Sequence, residues 1–285
     1  MHNDMITGRN IATDDTIYPI RKHDKIHSLI VSDIHLGSRV SRSADLMALL
    51  KSFRIDKNEY LFDRLILLGD IFDNLKFKRL DKKAWELISL IRGINDERCN
   101  AEVVWILGNH DRQWAELMEN MVGTKVYREY IWSAAGKRYL AMHGDRFDKW
   151  VMKYPALAVI PCWIYDLIQE LDGDRQRVSR FVKEKSKVWL RINDEMARGI
   201  IAYAERMQNK IDAVFCGHSH MAEETYYENS GIWYYNTGCW TGRQLPTYAT
   251  VSYNGEIRIN EYVPEAESVG LVKEREYPVV APGLK

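Results

Sequence analysis

Residues 65–73 read Leu-Ile-Leu-Leu-Gly-Asp-Ile-Phe-Asp, an apolar run that passes through one glycine into a polar cluster. A short, continuous apolar run bounded by glycine is typical of a strand that is buried on both faces, as in a parallel sheet. The polar cluster begins where such a strand ends. The stretch therefore predicts a central strand with Asp70 and Asp73 just beyond its carboxyl end.

The same pattern occurs twice more in the first half of the chain. Residues 28–37 (SLIVSDIHLG) and 103–111 (VVWILGNHD) also pass from apolar runs into chemically capable side chains. Between these runs, residues 46–53 and 85–91 carry apolar side chains at helical spacing, and the second of these patterns stops at Gly93. Strands that alternate with helices predict an α/β sheet, whose ligands bind beyond the carboxyl ends of the strands.

Two later stretches repeat the pattern, and the C-terminal part differs from it. Residues 139–145 (YLAMHGD) and 213–220 (AVFCGHSH) again end in polar clusters. Residues 231–235 read as a strand, and residues 248–263 read as a hairpin that turns at Asn254-Gly255. We therefore expect five polar clusters at strand ends, followed by antiparallel strands.

The interval between the last two clusters is about twice as long as the earlier intervals. It opens with an apolar stretch, residues 150–168, but two prolines and two charged residues in that stretch argue against a membrane span. A helical pattern follows over residues 192–207, with a cap predicted at Asn193 or Asp194. These features predict a helical lid, residues 146–210, inserted in a domain that spans residues 26–265.

The overall composition limits the possible partners and the cellular compartment. The chain has 40 basic and 40 acidic residues, so no global field attracts it to nucleic acid, and we expect no nucleic-acid partner. Its four cysteines lack metal-ligand spacing and form no disulfide-like framework, and the N-terminus lacks an apolar signal region. These features favour the cytoplasm.

The five clusters together contain the ligands that a pair of divalent metal ions needs. Hydrolysis of a phosphate ester or anhydride at neutral pH requires a hydroxide and neutralised phosphoryl oxygens. Two cations roughly 3.5–4 Å apart provide both, with in-line attack by a metal-bound hydroxide. The candidate ligands are Asp33, His35, Asp70, Asn109, His143, His218 and His220.

His110 follows a candidate ligand and is a candidate catalytic residue in its own right. It could protonate a leaving oxygen or stabilise charge on the phosphoryl group, with Asp111 orienting its ring. Asp73 and Asp145 fit two interpretations equally well, as partners that orient metal ligands or as turn residues.

These motifs, taken in order, resemble those of the calcineurin-like metallophosphoesterase superfamily. They are Asp33-x-His35, Gly69-Asp70-x-x-Asp73, Gly108-Asn109-His110-Asp111, His143-Gly144 and Gly217-His218-x-His220. The resemblance implies a two-sheet sandwich flanked by helices, with two Mn, Fe or Zn ions at one edge, Mn being the first expectation. It also implies a division of the ligands, with Asp70 bridging: Asp33, His35, Asp70 and His220 around one metal, and Asp70, Asn109, His143 and His218 around the other.

Within the superfamily, the chain is similar to the UDP-2,3-diacylglucosamine pyrophosphatases of lipid A synthesis. The similarity lies in residues 32–36, 69–72 and 142–145 and in the insertion before Gly217. It implies a lid that covers acyl chains, and peripheral binding at the cytoplasmic face of the inner membrane. The chain departs from that family at His110, where typical members carry arginine. A diphosphate expels a phosphate monoester that needs no protonation, so His110 would also serve poorer, alkoxide leaving groups.

The predicted lid also carries a basic segment. Residues 174–191 include seven basic residues and two acidic ones. Of the basic residues, Arg180, Lys183 and Lys187 are candidate substrate-binding residues. An apolar stretch with a basic flank suits an anionic bilayer, and basic side chains also bind a nucleotide diphosphate. A helical hairpin with a solvated face is the alternative. We therefore expect substrate or membrane contact through residues 150–191.

Three functions are consistent with the sequence. The first is a dinuclear-metal hydrolase that cleaves the diphosphate of a UDP-2,3-diacylglucosamine-like, lipid-linked substrate. The second, favoured by His110, is a soluble phosphodiesterase or phosphatase acting on a nucleotide or another phosphoester. The third is a metal-bearing interaction module without turnover, which the complete ligand set disfavours.

Overall fold

The computed structural model describes residues 24–73, 77–112, 115–148, 187–242 and 244–264. Helices and strands are numbered in chain order. The first sheet has six strands in the spatial order β13-β12-β1-β4-β5-β6. Its members are β1 (Ile26–Val31), β4 (Phe62–Leu68), β5 (Glu102–Ile106), β6 (Val126–Tyr127), β12 (Thr247–Ser252) and β13 (Ile257–Glu261).

The second sheet has five strands in the spatial order β10-β11-β9-β8-β7. Strands β8, β9 and β11 are parallel, and the two edge strands are antiparallel to their neighbours. The members are β7 (Glu129–Ala134), β8 (Lys137–Met142), β9 (Ala213–Cys216), β10 (Glu223–Tyr227) and β11 (Ile232–Asn236). A separate small hairpin pairs β2 (Arg54–Asp56) with β3 (Glu59–Tyr60).

Successive side chains of the central strands point to opposite faces of the sheet, and this divides the hydrophobic core into layers. In β4, Leu65 and Leu67 face a cluster that includes helices α1 (Ser43–Ser52) and α2 (Lys82–Ile94). The residues between and after them, Ile66 and Leu68, face side chains of the second sheet. Because successive side chains of a strand point to opposite faces, one strand contributes to both layers. The outer face of the second sheet packs on α4 (Lys187–Glu205), and α3 (Ala115–Val122) precedes β6.

This arrangement confirms the predicted fold, two mixed sheets packed face to face with helices on the outside. The C-terminal hairpin is also confirmed, with β12 and β13 joined through Gly255 at a φ of 81°. Strands β1, β4 and β5 are parallel neighbours, so their carboxyl ends lie at one edge of the first sheet. The carboxyl ends of β8 and β9 are likewise neighbours in the second sheet.

The predicted start of the last helix was wrong. Helix α4 already includes Lys187, so neither Asn193 nor Asp194 caps it. Asn193 is buried, and its amide contacts Met221 Sδ at 3.1 Å, while Asp194 pairs with Arg198 one turn later at 2.9 Å. Tertiary packing and an i,i+4 ion pair therefore account for two side chains that resemble capping residues in the sequence.

Most of the predicted lid lies outside the described residues. Residues 149–186, which include the apolar stretch and two of the basic candidates, belong to that part of the chain. The part of the predicted lid that the structure describes includes α4, which packs on the second sheet through Met196, Ile200 and Ala204. No helix in the described ranges combines the length and the apolar composition needed to cross a bilayer.

Two glycines at helix ends allow a matched test of backbone conformation. A Cβ atom would meet nothing within 4 Å at Gly93, inside α2, or at Gly123, after α3, but only Gly123 has a positive φ, of 74°. We expect Gly93→Ala to raise the free energy of unfolding by about 0.5–1 kcal/mol. We expect Gly123→Ala to lower it by about 1 kcal/mol, because L-residues are strained in the left-handed region. Urea unfolding of both variants measures the difference, and equal effects would contradict the assigned conformations.

Candidate metal centre

Five of the seven candidate ligands have an unusual backbone conformation. Asp33, His35, Asp70, His218 and His220 all have φ between 48° and 68°. In the described ranges, Ala135 is the one other non-glycine residue with a positive φ. Strained conformations of this kind persist where surrounding contacts hold them, and they cluster at functional sites. The chain therefore bends sharply where β1, β4 and β9 end.

Backbone hydrogen bonds hold these bends to one another. The N–H of Asp33 donates to Gly69 O at 3.1 Å, and the N–H of His35 donates to Asp70 O at 3.0 Å. The N–H of His218 donates to Asp33 Oδ2 at 3.0 Å, which joins the second sheet to the first. The site is thus assembled from strand ends of both sheets, as the sequence predicted for five separate clusters.

Three glycines allow the clusters to approach closely. A Cβ atom on Gly108 would lie 2.0 Å from Asp70 Oδ1, and one on Gly217 would lie 2.4 Å from Asp33 Oδ2. A Cβ atom on Gly69 would lie 2.3 Å from His143 Nδ1. Any side chain at these positions would displace a candidate ligand, so close contact requires all three glycines, and Gly69 also has a positive φ, of 81°.

The candidate ligands form two compact groups. The ligand atoms within each group lie within 4.8 Å of one another. The two groups are Asp33, His35 and His220, and Asp70, His143 and His218. A third combination, His35, Asp70 and His110, overlaps both the first and the second group.

Asp70 belongs to the second group and also faces the first. Its Oδ2 atom is 3.2 Å from His143 Nε2 and 4.0 Å from His35 Nε2, so it faces one histidine of each group. Its Oδ1 atom accepts a hydrogen bond from the N–H of His110 at 2.8 Å. Asp70 is 2% exposed, and its two carboxylate oxygens have different partners.

Within the part of the chain that the structure describes, several buried polar atoms at this site lack a hydrogen-bond partner. They are Asp33 Oδ1, Asn109 Oδ1 and His143 Nε2, each belonging to a candidate ligand. The nearest imidazoles make electrostatic contacts, with His220 Nε2 3.1 Å from Asp33 Oδ1. Buried polar atoms are normally satisfied, and divalent cations bound at the two ligand groups would satisfy all three. The residues present therefore fit a metal site.

The charges at the site also favour a cation. Burial alone would raise the pKa of Asp33, but His220 and His143 together outweigh it and lower the pKa to about 2. The pKa of Asp70 is well below its usual value, because His143 and His110 outweigh the effect of burial. Burial lowers the pKa of His35 to about 3, whereas Asp70 overcomes burial and raises the pKa of His143 to about 10. Two buried carboxylates thus remain ionised and attract positive charge.

The two predicted catalytic residues lie at the site but do not interact as expected. The Asp111 carboxylate accepts hydrogen bonds from the N–H groups of Ile71 and Phe72, both at 3.0 Å. The His110 ring is instead oriented by Asp73, whose carbonyl oxygen lies 2.6 Å from His110 Nδ1. Asp111 therefore holds the loop that carries Asp70, and burial raises its pKa to about 6.

Two further residues at the site were missed by the sequence analysis. Asp148 Oδ2 lies 3.1 Å from His218 Nε2. The fully buried Asn236 amide donates to Gly217 O at 2.8 Å and to Ser219 Oγ at 2.9 Å, which supports the turn between two candidate ligands. A signal for Asn236 was present, because it too ends an apolar run and lies two residues before a glycine, Gly238. Asp148 had no such signal.

Of the other predicted site residues, only Asp145 has a described side chain. Asp145 accepts a hydrogen bond from the Arg112 guanidinium. Arg180 and Lys183 lie outside the described residues. Lys187 is the first residue of α4, and the structure describes its backbone only. Their proposed contact with substrate stays a prediction.

The family profile of calcineurin-like phosphoesterases matches residues 26–222, more than half of the chain. The chain belongs to this family. It is therefore a metal-dependent phosphoesterase, as the motifs predicted. Asn236 lies beyond the matched range. No protein of curated function matches the sequence.

Three solved structures illustrate what the chain is similar to. A novel archaeal phosphodiesterase is 13% identical, with 81% of this chain and 97% of that chain covered and a TM-score of 0.41. Yfce, a phosphoesterase from E. coli, is 13% identical over 83% of this chain and 99% of that chain, with a TM-score of 0.44. Zinc-bound Vps29 from Entamoeba histolytica is 14% identical over 84% of this chain and 93% of that chain, with a TM-score of 0.41.

The Asp111 contacts can be tested against another carboxylate that also accepts a backbone hydrogen bond. We expect Asp111→Ala to lower the free energy of unfolding by about 1–3 kcal/mol, because two backbone N–H groups lose their acceptors. It should also weaken metal binding at least tenfold, because the Asp70 loop is released. Asp81, which caps α2 by accepting from the N–H of Ala84 at 2.8 Å, provides the control.

Urea unfolding and metal titration of both variants distinguish the two effects. Asp81→Ala should cost about 1 kcal/mol of stability and leave metal affinity unchanged. Unchanged metal affinity in Asp111→Ala would show that the loop contacts do not position Asp70.

Proposed function

We propose that this protein is a dinuclear hydrolase that cleaves the diphosphate of a UDP-2,3-diacylglucosamine-like substrate. The observation that carries the dinuclear part is that Asp70, a member of one ligand group, also faces His35 of the other group. The substrate rests on the sequence similarity in residues 32–36, 69–72 and 142–145 and on the apolar composition of residues 150–168.

The proposed ligand sets follow the two groups. Asp33, His35 and His220 hold one cation, and His143, His218 and Asn109 hold the other, with Asp70 between them. Bound divalent cations, which we propose to be manganese rather than iron or zinc, supply a hydroxide nucleophile and neutralise phosphoryl charge. Imidazole and carboxylate ligands suit all three metals, so elemental analysis of the purified protein decides among them.

His110 is proposed to act on the leaving group. Because the Asp73 carbonyl oxygen can only accept, His110 Nδ1 carries a proton at this contact, 2.6 Å long. The second ring nitrogen, Nε2, is then the one that can move a proton or contact a phosphoryl oxygen. The ring stands edge-on to His35, with centroids 4.9 Å apart, which places it beside the first ligand group.

The chain's own residues perform three tasks in this proposal. Asp111 and Asp73 hold the Asp70 loop and the His110 ring. His110 donates a proton to, or stabilises charge on, the departing oxygen. Residues 150–191 are proposed to contact the acyl chains and the cytoplasmic face of the membrane, through their apolar stretch and basic flank.

A second candidate function is a soluble phosphodiesterase or phosphatase acting on a nucleotide or another phosphoester. The observation that favours it is His110, because the phosphate monoester that leaves when a diphosphate is cleaved needs no general acid. A substrate panel distinguishes the two functions. We expect the manganese-loaded protein to hydrolyse a UDP-diacylated amino sugar at least tenfold more efficiently, in kcat/KM, than bis-p-nitrophenyl phosphate.

UMP formation from the sugar nucleotide and p-nitrophenolate release from the diester are measured with manganese and after chelation. Loss of activity on both substrates after chelation is expected. Rapid turnover of the diester, with the lipid substrate intact, would contradict the lipid-linked substrate and support the second candidate.

The role of His110 is tested with leaving groups of different quality. For His110→Ala we expect a loss of about 10²–10⁴-fold in turnover of alkyl phosphate esters, whose leaving group needs a proton. The loss should be much smaller for p-nitrophenyl esters, whose leaving group is stable without one. His27→Ala is the matched control, because His27 lies in β1 near its amino end, away from the strand ends that carry the site. Equal losses for both leaving groups would remove His110 from proton transfer.

A further inference from the structure

Asp148 lies against a candidate metal ligand. Its Oδ2 atom is 3.1 Å from His218 Nε2, and the two side chains are 8% and 13% exposed. Asp148 follows a short 3-10 turn, Asp145–Phe147, which begins directly after His143-Gly144. Its backbone N–H donates to Asp145 O at 3.2 Å. The turn after one candidate ligand therefore places a buried carboxylate against a second candidate ligand.

The contact leaves His218 one ring nitrogen for a metal. With Nε2 directed at Asp148, the remaining nitrogen is Nδ1. The His218 backbone is itself held, because its N–H donates to Asp33 Oδ2 at 3.0 Å. The ring stands edge-on to His143, at 75° and 5.2 Å between centroids. Both the backbone and the ring of His218 thus have defined partners.

His143, in the same ligand group, is arranged in the opposite way. Its Nδ1 atom lies 3.1 Å from Leu68 O, and its Nε2 atom lies 3.2 Å from Asp70 Oδ2. The backbone carbonyl therefore occupies Nδ1 of His143 and leaves Nε2 for the metal. A metal-binding histidine almost always donates its other ring N–H to a carboxylate, a carbonyl or a water, and this contact sets which nitrogen binds.

We infer that Asp148 is a positioning residue for the second ligand group and that it makes His218 bind its metal through Nδ1. The inference rests on the proposed function only in requiring a metal at the group formed by Asp70, His143 and His218. It goes further by assigning a role to a residue outside the seven candidate ligands. It also assigns opposite ring nitrogens to the two histidines of that group.

The role of Asp148 should appear as a selective loss of metal affinity. Removal of a carboxylate that orients a metal-binding histidine typically weakens metal binding about 10–100-fold. In Asp148→Ala we expect this loss at one of the two sites, with the affinity of the other site close to that of the wild type. Asp148→Asn keeps an oxygen that can accept from His218 Nε2, so it should recover part of the affinity.

The experiment is a zinc titration of the full chain in competition with a chelator. Asp212→Ala is the matched control, because Asp212 precedes β9 at the end opposite His218 and accepts a hydrogen bond from the N–H of Arg138 at 2.8 Å. Urea unfolding of each variant separates a loss of affinity from a loss of folded protein. Wild-type affinity at both sites in Asp148→Ala would overturn the inference.

A spectroscopic readout tests the nitrogen assignment directly. In the zinc-loaded wild type with ¹⁵N-labelled histidine, the two ring nitrogens of His218 give different shifts when one binds zinc and the other carries a proton. We expect Nδ1 of His218 and Nε2 of His143 to show the zinc-bound shift, with each signal assigned by its loss in His218→Gln or His143→Gln. Zinc bound through Nε2 of His218 would also overturn the inference.

These outcomes are distinguishable from a failure of the proposed function. If the wild type bound no zinc at all, the proposed dinuclear site would fail, and the inference with it. If the wild type bound two zinc ions and Asp148→Ala did so equally well, only the role of Asp148 would fail. Hydrolysis of any particular substrate is not needed for either result.

Discussion

The arrangement of this protein depends on two ionised carboxylates buried side by side at the ends of adjacent parallel strands. Asp33 and Asp70 are 0% and 2% exposed, and both keep pKa values below the usual range for aspartate. Buried negative charges are costly unless positive charge faces them. The surrounding histidines provide part of that charge, and the family's divalent cations fit the remainder. The close glycine contacts and the left-handed backbone at the strand ends bring these groups together.

The elements that carry the site could be predicted because their signals are local. The apolar runs of β1, β4 and β5 continue without polar interruption, and each ends at a glycine or a polar cluster. Chemistry alone then indicated metal ligands, because carboxylate, imidazole and amide groups recur at five strand ends. The division of the ligands into two sets came from resemblance to the family. The two compact groups in the structure are consistent with that division.

The features that the sequence did not reveal depend on contacts between distant parts of the chain. Asp111 adjoins His110 in sequence, yet its carboxylate binds N–H groups about forty residues away. Asp148 contacts a histidine seventy residues later, and nothing in its neighbours in sequence indicates this. Asn193 resembles a helix cap but packs inside α4. Local patterns predict elements and strand ends, whereas the support around the ligands is set by tertiary structure.

The central claim is that Asp70 joins two metal sites into one dinuclear centre, and electron paramagnetic resonance of the manganese-loaded protein tests it most directly. Two manganese ions that share a bridging carboxylate are coupled, so we expect two ions per chain by elemental analysis and a coupled, multi-line spectrum. Asp70→Ala should lose the coupling. One manganese ion per chain in the wild type, or two ions with the spectrum of isolated Mn²⁺, would contradict the claim.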